Sequence, residues 1–271
     1  MYLISYFKNA DEKLYLADSS DGYRWSERNE GKPVFASSVG TGCIRDPFLH
    51  QDQEGVFHLL WTDGWGSRSI GYARSRNLID WTDEKLIPVM EHMPSTQNTW
   101  APELFYDTIK DAYRIIWSST IEEGPRNHRI WSVTTNDFET FSEAKLFFDP
   151  GYNIIDASVA DLGDCYFMVY KDERHFDDEG NACKAIRSCY VDKEDNDRPN
   201  VREISELLTM HMTEGPTLYR VEEQGREAWI MLVDRFRADL YDAYRTYDMR
   251  EWTLINDHMQ LPAALKHATV I

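Results

Sequence analysis

Apolar and aromatic residues fall in short bursts along this chain: "YLISYF" at 2–7, "VFHLLWTD" at 56–63, "YRIIWSS" at 113–119, "CYFMVYKD" at 165–172 and "AWIMLVDR" at 228–235. A second, alternating stretch follows each burst: "KLYLADS", "SIGYARS", "RIWSVTT", "AIRSCYV" and "DLYDAYRTY". Alternation of apolar and polar positions predicts half-buried strands. Behind several pairs comes a turn that ends in an aromatic residue, Trp25, Trp81, Phe141 or Trp252, with gaps of 56, 60 and 111 residues. The last gap is two periods, and the copy near "NVREISELL" lacks the aromatic. The best helix candidate, "VREISELLTM", is too short for a confident amphipathic pattern. Five near-equal units of short strands predict an all-β, five-bladed β-propeller rather than an open sandwich, which needs no equal period. The chain opens on what is the second strand of a blade and closes on "KHATVI", so the C-terminal strand is expected to pair with the N-terminal blade and close the ring. One domain over residues 1–271 is the result.

The innermost strands of the units begin "RDPFLHQ", "APELFYD", "IDASVAD", "EGPTLYR" and "KHATVI". At their heads stand Asp46, Glu103, Asp156, Glu214 and His267, separated by 57, 53, 58 and 53 residues. Inner strands of a propeller line its axis, so four carboxylates and a histidine are expected to converge at one end of the channel. A turn-capping role accounts for any one of them, but not for five in register, because clustered like charges oppose their joint ionisation. Such a cluster suits glycoside hydrolysis. One carboxylate activates water and one carboxyl protonates the leaving oxygen, about 6.5–9.5 Å apart in an inverting pair.

Composition narrows the partners. The formal charge of −18 excludes nucleic acid and anionic membranes, which need a basic face. Aromatics make up 13% of the chain, in keeping with strands and sugar-binding surfaces. No run approaches the ~20 apolar residues of a membrane span. The four cysteines, Cys43, Cys165, Cys183 and Cys189, form no zinc-type spacing and read as free thiols. The opening residues carry no basic segment followed by an apolar stretch, so a cytoplasmic location is expected. Oligomeric state is not encoded in any of these features.

The motifs Arg45-Asp46-Pro47-Phe48, Thr99-Trp100-Ala101-Pro102-Glu103, Ile155-Asp156-Ala157-Ser158, Glu214-Gly215-Pro216 and His267-Ala268-Thr269-Val270 resemble, in order and spacing, those of glycoside hydrolase family 43. The resemblance covers nearly the whole chain. It implies a five-bladed propeller that inverts configuration while cleaving α-L-arabinofuranosyl or β-D-xylosyl linkages in oligosaccharides. By the same resemblance Asp46 is the general base, Glu214 the general acid, and Asp156 the residue that tunes and orients the acid. It also implies that His267 looks down the central channel beside a calcium ion or water, with calcium contacted through water because that ion takes oxygen ligands. No cofactor is required for the reaction. Lys266-His267-Ala268 departs here from the family's Arg-His-Gly.

Substrate contacts are expected from Trp65 on the Gly-rich loop "TDGWGSR", from Trp100, from Glu103, which sits in the ring without transferring protons, and from Lys171 and Arg235, which end their strands at matching offsets. A core tryptophan between blades accounts for Trp100 equally well, and surface charge is the commoner fate of a single Lys or Arg. Other readings of the architecture are an endo-arabinanase, an anhydro-galactosidase-like hydrolase, or a catalytically silent carbohydrate-binding propeller.

Overall fold

A computed structural model describes all 271 residues and contains five four-stranded antiparallel sheets. Blade 1 holds β1 (Tyr2–Phe7), β2 (Tyr15–Ser19) and β3 (Ser26–Glu27). Blade 2 holds β4 (Arg45–Gln51), β5 (Phe57–Thr62), β6 (Ile70–Ser75) and β7 (Trp81–Ile87). Blade 3 holds β8 (Trp100–Asp107), β9 (Ala112–Ser119), β10 (Arg129–Thr135) and β11 (Lys145–Phe148). Blade 4 holds β12 (Ile154–Asp161), β13 (Cys165–Asp172), β14 (Ala185–Asp192) and β15 (Val201–Arg202). Blade 5 holds β16 (Glu214–Glu223), β17 (Arg226–Arg235), β18 (Leu240–Thr246) and β19 (Thr253–Leu254), and β20 (Lys266–Val270) returns to blade 1. The helix candidate at 201–210 contributes only the two-residue β15. Helical structure is confined to two single turns, Asn29–Gly31 and Asn256–His258.

The apolar bursts are the second strands of the blades, and their density has a simple cause. Each blade is covered on both faces, so successive side chains enter different hydrophobic clusters. In β5, Leu60 joins the cluster between blades 2 and 3, while Leu59 and Trp61 join the one between blades 1 and 2. In β13, Met168 and Tyr170 pack towards blade 3, and Phe167 and Val169 towards blade 5. In β17, Ile230 and Leu232 face blade 1, and Met231 and Val233 face blade 4. Five such clusters fill the five seams. Full burial of one such side chain stabilises by about 1.5–3 kcal/mol, so the seams fix each blade against its neighbours and hold the inner strands rigidly around the axis. Close packing also dictates Gly71, where a Cβ would stand 1.9 Å from the indole of Trp61.

The ring closes as the sequence predicts. Strand β20 runs antiparallel to β1, with Ile4 opposite Val270 and Ser5 opposite Thr269. The Ser5 and Thr269 hydroxyls lie 2.7 Å apart, and both reach the Pro47 carbonyl on β4, at 3.0 and 2.9 Å. This knot ties the closing strand to the next blade. All four cysteines are free thiols, and three of them, Cys165, Cys183 and Cys189, are buried. No helix is long and apolar enough to cross a membrane.

Candidate active site

Each inner strand breaks register near its start. The breaks fall between Arg45 and Phe48, Trp100 and Glu103, Ile155 and Ser158, and Glu214 and Thr217, and between Ser5 and Phe7 on the strand that faces β20. At each bulge one residue adopts left-handed backbone: Asp46 (φ 47°), Ala101 (48°), Asp156 (56°), Gly215 (54°) and His267 (36°). Such a bulge re-aims the side chains beside it. Left-handed backbone in a residue other than glycine costs on the order of 1–3 kcal/mol and persists where the surrounding structure enforces it. The bulge residues Asp46, Asp156 and His267 and the preceding residues Arg45, Trp100, Ile155 and Glu214 all line one cavity of about 500 Å³. That volume is within the usual range for small-ligand sites.

These bulges correct the alignment of strand heads expected from sequence. Asp46, Asp156 and His267 are equivalent, but Glu214 stands one residue before its bulge and Glu103 two after. Glu103 is therefore not on the cavity wall. It is 7% exposed and accepts the Val159 N–H at 3.2 Å, joining β8 to β12. The substrate contact expected of it is out of its reach. The match between Lys171 and Arg235 fails for the same kind of reason. Lys171 lies opposite Ile155, and the residue in the corresponding place opposite Glu214 is Asp234. Arg235 is one step further along a period-two strand, so it faces the other way. Its guanidinium approaches Asp242 at 3.8 Å, off the cavity wall.

Lys171 is 2% exposed; its ammonium hydrogen-bonds Glu214 Oε2 at 2.7 Å and forms an ion pair with Glu173 at 2.8 Å. Burial opposes its charge, but Glu214, Glu173 and Asp156 outweigh that and raise its pKa. Lys171 thus orients one oxygen of Glu214 and leaves the other without a hydrogen-bonding partner in a side chain that is 29% exposed. Asp156 accepts the Gly215 N–H at 3.1 Å, and its own N–H bonds the Ser118 hydroxyl at 3.1 Å. Because Gly215 follows Glu214 directly, Asp156 holds the peptide on which Glu214 stands. A Cβ at Gly215 would lie 3.0 Å from the His267 ring, so only glycine allows this approach at a positive φ. Burial, together with Glu214 and Asp46, pushes the Asp156 carboxyl up to about 6 against the opposing pull of His267 and Lys171.

His267 turns Nδ1 to Asp46 Oδ1 at 3.2 Å. Burial alone would lower its pKa, but Asp46, Asp156, Glu214 and Asp234 together raise it. The imidazole therefore keeps its second proton to higher pH than an ordinary histidine, and in that form it is an ion-pair partner of Asp46. No group of three or more His, Cys, Asp or Glu side chains is arranged to hold a metal ion. Calcium takes roughly six to eight oxygen ligands, so an ion beside His267 would draw most of them from water, as in the water-mediated contact that the resemblance implies.

Trp65 and Trp100 both line the cavity, at right angles with centroids 5.5 Å apart, and Trp100 Nε1 donates to the Trp65 carbonyl at 3.2 Å. Trp65 is 60% exposed and presents a ring face to solvent, backed by Arg45 at 4.6 Å. Sequence reasoning did not single out Arg126, Glu173, His175, Lys184, Phe236 or Arg237, which also line the cavity. All six lie in loops between the second and third strands of blades 3 to 5, where no periodicity marks them. The one available signal was Trp65, which occupies the corresponding loop of blade 2.

Glu103 gives a pH-dependent prediction. Burial, and to a smaller extent Asp156, pushes its carboxyl up to about 8, although Ser158 and Val159 hydrogen-bond it. A folded pKa above the unfolded value means that the folded state holds the extra proton. The stabilisation is therefore complete below about pH 4.5 and is lost as pH rises towards 8, at about 1.4 kcal/mol per pH unit. Glu103→Gln removes that slope. Urea unfolding should find the variant gaining on the parent protein from pH 5 to pH 9; an equal difference at both pH values would contradict the buried, neutral carboxyl.

Comparison with known proteins agrees with this architecture. Residues 1–271 match the family 43-related glycosyl hydrolase family, described as a probable glycosyl hydrolase domain. An alpha-L-arabinofuranosidase of Bifidobacterium longum subsp. longum is 27% identical over 198 residues, which is 61% of this chain and 19% of that enzyme's length. Among solved structures, the Cellvibrio cellulosa alpha-L-arabinanase complexed with arabinohexaose superposes with a TM-score of 0.62 at 12% identity, covering 95% of this chain and 92% of that one. The alpha-L-arabinofuranosidase of Lactobacillus brevis gives 0.57 at 15% identity, over 83% and 74% of the two chains. At these identities the structural likeness speaks for the propeller fold.

Proposed function

The chain belongs to the family 43-related glycosyl hydrolases, and on that premise we propose that it is an inverting glycosidase that releases α-L-arabinofuranosyl or β-D-xylosyl units from oligosaccharides. The observation that carries the reading is the meeting of Asp46, Asp156 and Glu214 on one cavity, each held by a different partner. Asp46 offers its second carboxylate oxygen to a water, while His267 pairs with the first. Glu214 gives a proton to the leaving oxygen through the carboxyl oxygen that Lys171 does not hold. Asp156 keeps the Glu214–Gly215 peptide in place by accepting the Gly215 N–H. The Trp65 face stacks against the sugar, since an aromatic ring matches the apolar face of a pyranose or furanose. The match to the Bifidobacterium arabinofuranosidase supports the arabinosyl member of the pair.

A substrate panel tests the reading. With nitrophenyl α-L-arabinofuranoside, nitrophenyl β-D-xyloside and linear arabinan, the protein is expected to release free pentose from at least one nitrophenyl glycoside. Cleavage of arabinan into internal fragments, with neither glycoside touched, would favour the endo-arabinanase reading. The exposed Trp65 ring, which could support a second sugar, gives that reading its one structural support. Binding of glycans with no turnover on any of them would leave a carbohydrate-binding propeller.

A further inference from the structure

The loops between the second and third strands of blades 3, 4 and 5 form an arc on one side of the cavity and bring charged residues to it. Blade 3 supplies Arg126, blade 4 supplies Glu173 and Lys184, and blade 5 supplies Arg237. Most ionised groups on the cavity are matched. Arg45 pairs with Glu12, Lys171 with Glu214 and Glu173, Lys184 with Glu173, and His267 with Asp46. Arg126 and Arg237 are the cations left over, since neither guanidinium makes an ion pair or a hydrogen bond within the protein. In a chain with 47 acidic residues against 29 Lys and Arg, carboxylates were available to neutralise them.

Both guanidinium groups also rest near an aromatic ring of the same wall. Arg126 sits 4.4 Å from the centroid of Trp100, and Arg237 sits 5.9 Å from that of Phe236. Contact with a ring uses the flat face of a guanidinium and leaves its N–H edge free. That edge is a planar fork of donors suited to two oxygens of one anionic group. An unpaired arginine elsewhere, Arg226 beside Tyr247, lies outside the cavity and is ordinary solvated charge.

We propose that the glycan taken by this cavity carries an anionic substituent, a uronate carboxylate or a sulfate ester near the cleaved sugar, received on the arc from Arg126 to Arg237. The proposal rests on the glycosidase reading for its assignment of the cavity to a glycan, and it names the substrate class of that site. The two arginines are specificity residues: they bind the substituent and take no part in proton transfer. Because the attraction is between charges at a solvent-exposed mouth, it weakens with added salt.

The test uses three oligosaccharides with the same cleaved sugar: one neutral, one uronate-substituted and one sulfated. The parent protein is expected to favour one anionic form over the neutral one in kcat/KM by about tenfold or more, as one charge-assisted contact allows. Preference for the uronate identifies a carboxylate, and preference for the sulfated form a sulfate. Arg126→Ala and Arg237→Ala should each cut that ratio by about tenfold, chiefly through KM. The Lys variants should restore part of it, and Arg226→Ala should leave it at the parent value. Hydrolysis of the neutral compound with no anionic preference would overturn this inference and leave the glycosidase reading standing. If none of the three is cleaved, calorimetric titration separates the two ideas. Binding of an anionic oligosaccharide that Arg126→Ala or Arg237→Ala abolishes sustains the inference without the hydrolase, and absence of binding removes both.

Discussion

Asp46→Ala is expected to lower turnover by about 10²–10⁴-fold on every glycoside, whatever its leaving group, because a general base acts on the water in each case. The residue sits at a bulge with φ 47°, and its Oδ1 lies 3.2 Å from His267 Nδ1. The other carboxylates on the cavity are engaged: Glu214 with Lys171, Glu173 with Lys171 and Lys184, and Asp156 with the Gly215 N–H. Alanine tolerates left-handed backbone less well than aspartate does, so Asp46→Asn serves as the companion variant. Asparagine keeps the shape and the backbone preference while removing the charge. Both variants should lose activity to a similar degree, with the melting temperature of the Asn variant close to that of the parent. An Asn variant within a few-fold of the parent rate would show that Asp46 is not the base.

Glu214→Ala is expected to produce a loss that depends on the leaving group. Against alkyl or sugar leaving groups the loss should again reach about 10²–10⁴-fold, since the departing oxygen needs a proton. Against a dinitrophenyl leaving group, which departs as a stable anion, most of the rate should remain. The structure gives a second readout. Removing Glu214 leaves Lys171, 2% exposed, with Glu173 alone at 2.8 Å. A buried cation that loses one of two partners is destabilising, so the melting temperature should fall. Glu214→Gln, which retains an acceptor for Lys171, should recover stability without recovering activity on poor leaving groups. Equal losses on good and poor leaving groups would contradict the acid assignment and place Glu214 in binding alone.

The repeat was legible because a propeller writes its architecture into hydrophobicity. Second strands such as β13 are covered on both faces, so Met168, Tyr170, Phe167 and Val169 appear as one apolar burst, and the five bursts recur at blade spacing. The heads of the inner strands were legible to within one or two residues, and that margin decided which predictions held. A bulge inserts a residue where a regular pleat has none, and the period of a strand is two. An offset of one therefore put Arg235 on the wrong side of β17, and an offset of two placed Glu103 beyond the bulge and under the neighbouring strand. Asp46, Asp156, Glu214 and His267 survived the margin because the bulges bring both the bulged residue and the one before it to the cavity. The loop residues Arg126, His175, Phe236 and Arg237 could not be placed from sequence. Loops have no periodicity, and which of them reach the cavity depends on the blade geometry that the seams impose.

The stereochemistry of the first turnover bears most directly on the roles given to Asp46 and Glu214. Proton NMR of the anomeric region, recorded within seconds to minutes of adding enzyme to the nitrophenyl glycoside it cleaves best, reads the product before mutarotation scrambles it. Direct attack by an Asp46-activated water predicts the opposite anomer first, the β-furanose from an α-L-arabinofuranoside or the α-pyranose from a β-D-xyloside. A first product of retained configuration would require a covalent glycosyl-enzyme and would refute the assignment of Asp46 as base.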